Sequence, residues 1–74
     1  MNYIVIELQT TGGTTSLPTN TYSDRNQAES KFHEILKYAA VSQVEDHAAV
    51  MLTEDGRLVR QESYKHVVPE SAGA

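Results

Sequence analysis

Three histidines are the first residues that invite chemistry. His33 follows Glu29 by four positions, which puts both on one face of a helix. His47 opens one strand and His66 closes the next, and the ends of an antiparallel hairpin meet, so these two are expected to be neighbours. Two histidines and a carboxylate form a set that can ligate zinc. The spacing nevertheless contains no HExxH and no His-x-His pair. Surface histidines with ordinary hydrogen bonds are the plainer reading, so neither a metal nor a cofactor is expected. Cysteine is absent, which removes thiolate zinc sites, cysteine nucleophiles and disulfides.

Nucleophilic catalysis would need Ser30 or Ser63 beside a histidine and an acid. No Gly-x-Ser-x-Gly places either serine on a strained turn. A deep pocket is also hard to build in 74 residues. Gly12-Gly13 lacks the GxxxxGK[ST] pattern of a phosphate loop and does not open a helix. The expectation is therefore a protein that binds rather than an enzyme.

Binding chemistry is easier to place. Arg60, Tyr64 and His66 alternate along one strand face and combine cationic, aromatic and hydrogen-bonding character. Lys31 and Tyr38 sit at the margin of a helical apolar stripe, where a neighbouring subunit could reach them. Gln27, Lys31, Glu34 and Tyr38 flank that stripe on one side; Arg25, Glu29 and His33 flank it on the other. Most such groups are simply a solvated face. Lys31, Tyr38, His47, Arg60, Tyr64 and His66 are the candidate ligand-binding residues.

These residues must be positioned by a small set of elements. Residues 2–9 alternate as a strand, with Ile4, Ile6 and Leu8 on one side and Tyr3, Val5 and Glu7 on the other. Thr11-Gly12-Gly13-Thr14 signals a tight turn. The threonine-rich residues 14–22 read as a returning strand or as a loop; Pro18 confines such a strand to a sheet edge. A helix is predicted from near Asp24, with Gln27 completing a capping box, to about Ala40. Ala28, Phe32, Ile35, Leu36 and Ala39 fall on one stripe of it. His47 to Thr53 forms a strand, Glu54-Asp55-Gly56-Arg57 a hairpin turn, and Leu58 to His66 the return strand. The tail from Val67 to Ala74 is expected to be frayed. The prediction is one α+β domain over residues 1–66, ordered β-β-α-β-β, with a four-stranded antiparallel sheet of spatial order 2-1-3-4 and the helix on one face.

One helix covers one sheet face. The reading assigns Ile4, Ile6, Leu8, Ala48, Val50 and Leu52 to the covered face. Tyr3, Val5, Ala49 and Met51 then lie on the open face, which should be polar if it met only water. Those four residues are the expected interface with a second copy of the chain. On the last strand, Val59 is expected to point inward, because burying Arg60 and Glu62 beneath the helix would cost several kcal/mol unless they were paired.

Ten acidic residues against six basic ones give a net charge of −4. That balance disfavours general binding to nucleic acid, which needs clustered Lys and Arg. The acids are too dispersed to mimic nucleic acid. No apolar run approaches the ~20 residues of a membrane span. The run Met1-Asn2-Tyr3-Ile4-Val5-Ile6-Glu7 lacks the basic start of a signal peptide. A cytoplasmic protein without membrane contact is expected.

The runs Asp24-Arg25-Asn26-Gln27-Ala28-Glu29-Ser30-Lys31-Phe32-His33, Ala39-Ala40-Val41-Ser42, His47-Ala48-Ala49-Val50-Met51-Leu52 and Glu62-Ser63-Tyr64-Lys65-His66 carry a resemblance. It covers about Tyr3 to His66. The chain resembles a group of small uncharacterised proteins encoded in phages and prophages of Gram-positive bacteria. No catalytic motif comes with that group. The resemblance implies a phage protein acting in the host cytoplasm. The leading expectation is anti-defence: a homo-oligomer that sequesters a nucleotide-derived immune signal at its subunit interfaces. The alternatives are a virion or assembly component, or an inhibitor that binds a host defence protein.

Overall fold

The computed structural model describes residues 1–66. The first strand, β1 (Tyr3–Thr11), runs into a two-residue turn. Gly12 and Gly13 have φ of 59° and 83°. Two successive positive φ values define the mirror-image turn whose twist matches that of the strands it joins, and glycine adopts it without a steric penalty. The chain returns beside β1 as β2 (Thr14–Ser16) and β3 (Thr19–Tyr22).

These two short strands are one returning segment interrupted at Pro18. Thr11 faces Thr14 and Gln9 faces Ser16 in β2, while Ile6 faces Thr19 and Tyr3 faces Tyr22 in β3. The register is unchanged across the gap. The Pro18 carbonyl still accepts from Glu7 N at 2.9 Å. Proline has no N–H to give back, so the ladder lapses there without an inserted residue. The sheet accordingly has five strands rather than the expected four.

The helix α1 (Arg25–Ala39) begins where Asp24 caps it. The Asp24 carboxylate accepts from Asn26 N at 2.8 Å. The cap thus satisfies the second helical N–H directly. Ala28, Phe32, Ile35 and Ala39 form the buried stripe. Two further strands follow, β4 (Asp46–Thr53) and β5 (Leu58–Lys65). β1 lies between the β2/β3 edge and β4, and β5 is the outer strand beyond β4; every pairing is antiparallel.

The covered and open faces are the reverse of the expected assignment. Val5, Ala49 and Met51 are 0% exposed and pack under Ala28, Phe32 and Ile35. Tyr3, Tyr22, Leu36 and Val59 close around this core. Tyr3, Val5, Ala49 and Met51 therefore belong to the covered face and not to an outer surface. Ile4, Ile6, Leu8, Ala48, Val50 and Leu52 face the other way and are only half-buried. Tyr22 explains the choice. It is the last residue of β3, it shares a face with Tyr3, and it packs on the core, so the chain enters α1 on that side.

β5 changes with it. Arg60, Glu62 and Tyr64 stand opposite Met51, Ala49 and His47, on the helix side rather than the open face. The register slips between Met51 and Leu52, so Val59 is an extra residue between Leu58 and Arg60. This bulge turns Val59 onto the core as well. The anticipated cost of burying Arg60 does not arise, because β5 is the outer strand and the Arg60 side chain stays 48% exposed.

The core assignment makes a direct prediction. Met51→Ala leaves a cavity under α1 and should lower unfolding free energy by about 2–5 kcal/mol. Met51→Leu should cost under about 1.5 kcal/mol. Urea denaturation followed by circular dichroism measures both, and equal midpoints for the two variants would contradict the placement of Met51.

Candidate functional site

The best-connected polar group on the helix side is built on His47. Its ring is 4% exposed, beside the end of α1. His47 Nε2 lies 2.6 Å from Glu7 Oε2, and Nδ1 lies 3.0 Å from Ser42 Oγ. Gln9 Nε2 donates to the same Glu7 oxygen at 2.7 Å. Glu7 reaches His47 along a diagonal of the sheet, because Glu7 faces Ala49 and Gln9 faces His47. Ser42 lies in the segment that leaves α1.

The order carboxylate, imidazole, hydroxyl is that of a nucleophilic relay. The hydroxyl is committed elsewhere, however. Ser42 Oγ accepts from Val44 N at 3.4 Å and stands 3.3 Å from the Ala39 carbonyl. A hydroxyl carries one proton and two lone pairs, so these contacts and His47 exhaust it. The closed ring and the engaged serine make this chain of bonds a tie between β1, β4 and the helix exit. Sequence reasoning did not single out Glu7 or Ser42. Neither has a local signal, because only the β1–β4 register brings Glu7 to His47.

A second group lies between α1 and β5. Arg60 Nε donates to both Glu29 oxygens, at 2.7 and 2.9 Å. Arg25 Nε approaches Glu29 at 3.4 Å, and His33 Nε2 at 3.6 Å. Arg60's hydrogen bond holds the Glu29 carboxyl below the usual carboxylate range. Beside this cluster runs a shallow groove. Phe32, Leu36 and Val59 line it together with His33, Arg60, Gln61 and Glu62.

The remaining candidates are placed apart. His66 Nε2 bonds the Ala39 carbonyl at 2.7 Å, and its backbone N–H donates to the Glu45 carbonyl at 2.8 Å. His66 thus satisfies a terminal helix carbonyl. Tyr64 stands opposite His47 and remains exposed. Tyr38 is exposed on α1, with Lys37 Nζ 5.5 Å from its ring centre. Lys31 pairs with Glu34 at 3.1 Å, and that bond raises the Lys31 pKa. It borders a separate recess formed with Tyr22, Gln27 and Ser30.

The six candidate residues therefore do not converge on one pocket. His47, Tyr64 and His66 gather near the end of α1, Arg60 joins Glu29, and Lys31 borders another recess. His47 and His66 bond different groups, His47 to Glu7 and Ser42 and His66 to the Ala39 carbonyl. Among the described residues, no cluster of three His, Asp or Glu side chains is arranged to hold a metal ion. The tail from Val67 to Ala74 lies outside the described residues. Compared with protein-family models, curated proteins and solved structures, the chain matches none.

Two predictions follow from these polar groups. His47→Ala removes the ring's hydrogen bonds to Glu7 and Ser42 and leaves a gap beside them, and should cost about 1–3 kcal/mol in urea denaturation. The Glu29–Arg60 pair sets a pH dependence. A carboxyl with a lowered folded pKa contributes stability above its unfolded value, here 4.5, and loses it as pH falls through the folded value. Glu29→Gln should thus cost about 0.5–1 kcal/mol at pH 7, given the exposure of Arg60. The gap from the parent chain should shrink towards pH 3. A gap independent of pH would remove the charge from the explanation.

Proposed function

We propose that this chain is a non-enzymatic binding protein that works as a homodimer, joined through the uncovered face of its sheet. The observation that carries this reading is the composition of that face. Ile4, Ile6 and Leu8 pair with Leu52, Val50 and Ala48, and Leu58 extends the patch beside Leu52. A face left to water alternates to polar residues, and a contiguous apolar patch marks an interaction surface. Self-association thus falls to this face and not to Tyr3, Val5, Ala49 and Met51, which lie under the helix.

A second copy suits this patch for an electrostatic reason. Ile4, Ile6, Leu8, Ala48, Val50 and Leu52 at its centre are uncharged, and the one acid of these two rows, Asp46, lies at the end of β4. Thr19, Thr21, Gln61 and Ser63 are in register beside the patch, and Asp46 pairs with Lys65 at one end. A two-fold contact is self-complementary, so this face joins two copies and no third. Four strands spaced ~4.8 Å apart, with about six residues each at ~3.3 Å, give a face of ~400 Å² per copy. The ~800 Å² buried in total lies below the standard interface size, which fits a weak, reversible dimer.

Within this proposal, the resemblance to phage proteins supplies the role: anti-defence, with a nucleotide-derived immune signal as the sequestered ligand. Exposed Tyr38 and Tyr64 offer stacking surfaces for a base. Arg60 and Lys31 each already pair with a carboxylate, Glu29 and Glu34, which partly neutralises the charge they would offer a phosphate. That engagement favours a second reading, in which the partner is a host defence protein and no small ligand is bound.

Sedimentation over a range of concentrations tests the dimer. The parent chain should show reversible self-association. Val50→Asp should lose the open-face contact and sediment as a smaller species than the parent chain, with unchanged far-ultraviolet circular dichroism. A parent chain that stays monomeric at high concentration would refute the open-face dimer. Native mass spectrometry with cyclic and linear nucleotides separates the two partner readings. A bound nucleotide mass supports sequestration, and its absence moves the search to a protein partner.

A further inference from the structure

The two edges of the sheet differ. The β2/β3 edge is short and broken at Pro18. β5, by contrast, presents eight continuous residues, Leu58–Lys65, and pairs only with β4 among the described residues. A long edge strand without proline is a template for another strand. Charged side chains often protect such edges, but on β5 the charges alternate in sign. Arg60 and Glu62 lie two positions apart on the same face, opposite Met51 and Ala49.

That alternation selects one register. An antiparallel pairing of β5 with itself about a two-fold axis at Gln61 sets each Arg60 opposite the partner's Glu62. An axis at Glu62 would set two carboxylates against each other, and an axis at Arg60 two guanidinium groups. Like charges directly opposite are destabilising in a sheet, whereas opposite charges contribute favourably. Arg60 is also chemically free to make this contact. Its bonds to Glu29 use Nε, and guanidinium carries four further N–H donors on its terminal nitrogens.

We infer that β5 pairs antiparallel with β5 of a second copy about a two-fold axis at Gln61, with Arg60 and Glu62 as reciprocal ion pairs. This contact is separate from the open-face dimer and does not depend on it. The joined sheet carries both helices on one side. Each groove over Phe32, Leu36 and Val59 then continues into the partner's, forming one trough across the seam with His33 on both walls. Half of that trough comes from each copy, so any ligand it takes is bound only by the paired form.

The experiment is done in the Val50→Asp background, so that open-face association does not contribute. The chain has no cysteine, so Gln61→Cys introduces a single thiol. Directly opposed residues have Cβ atoms ~4.5–5.5 Å apart, close enough for a disulfide after small adjustment. Gln61→Cys should crosslink about tenfold faster than Ser63→Cys, whose thiols would lie about four residues apart along the seam. Charge exchange gives the second arm. Arg60→Glu alone and Glu62→Arg alone should each lose edge pairing in sedimentation. A one-to-one mixture should regain it, because both contacts then become Glu–Arg. Equal crosslinking rates, together with no recovery in the mixture, would overturn the proposal.

Discussion

A single helix has to close the core of this domain, and one helix can cover only one face of a sheet. Phe32 and Ile35 press on Val5, Ala49 and Met51, and the rest of the structure follows from that contact. It decides which strand residues are interior. Among the described residues it leaves the Ile4, Ile6, Val50 and Leu52 side of the sheet without a layer. It also leaves β5 beyond the helix, so that Arg60 and Glu62 can share the helix side without being buried. In a domain this small the core alone gives marginal stability, and the uncovered apolar face is where further burial is available.

The polar contacts join elements that the core alone does not connect. Glu7, His47 and Ser42 bind together β1, β4 and the exit of α1, where the apolar core ends. Arg60 and Glu29 do the same between β5 and the first half of α1. His66 closes the last helical turn. Each is a long-range bond between elements that the apolar contacts alone would leave free to slide. Such ties account for the gathering of His47, His66, Glu7 and Glu29 on the helix side.

Much of the fold was legible because its signals are local. Asp24 followed by the Ala28, Phe32, Ile35, Ala39 stripe reports a capped helix within its own few turns. Gly12-Gly13 and Asp55-Gly56 report hairpins, because only particular residues tolerate those backbone angles. Pro18 reports an edge, since it cannot donate to a ladder. The candidate site was far less legible. Arg60 was recognisable as a residue of interest, but its partner Glu29 lies 31 positions away. Glu7 and His47 are 40 positions apart and meet only through strand register.

The sequence by itself determined the helix between the first and last hairpins, the turns, and the presence of apolar residues on both sheet faces, and Pro18 allowed the returning segment only at an edge, without showing that it divides into β2 and β3. These depend on backbone propensity and on period-two or period-3.6 patterns, which need no distant partner. Only the tertiary structure decided which face the helix takes. Both faces are apolar in the sequence, and the period-two pattern separates them without ranking them. The direction in which the chain leaves Tyr22, the packing of Phe32 and Ile35 into the cluster of Val5, Ala49 and Met51, and the Val59 bulge settle the choice, and all three are relations between elements rather than properties of any one segment.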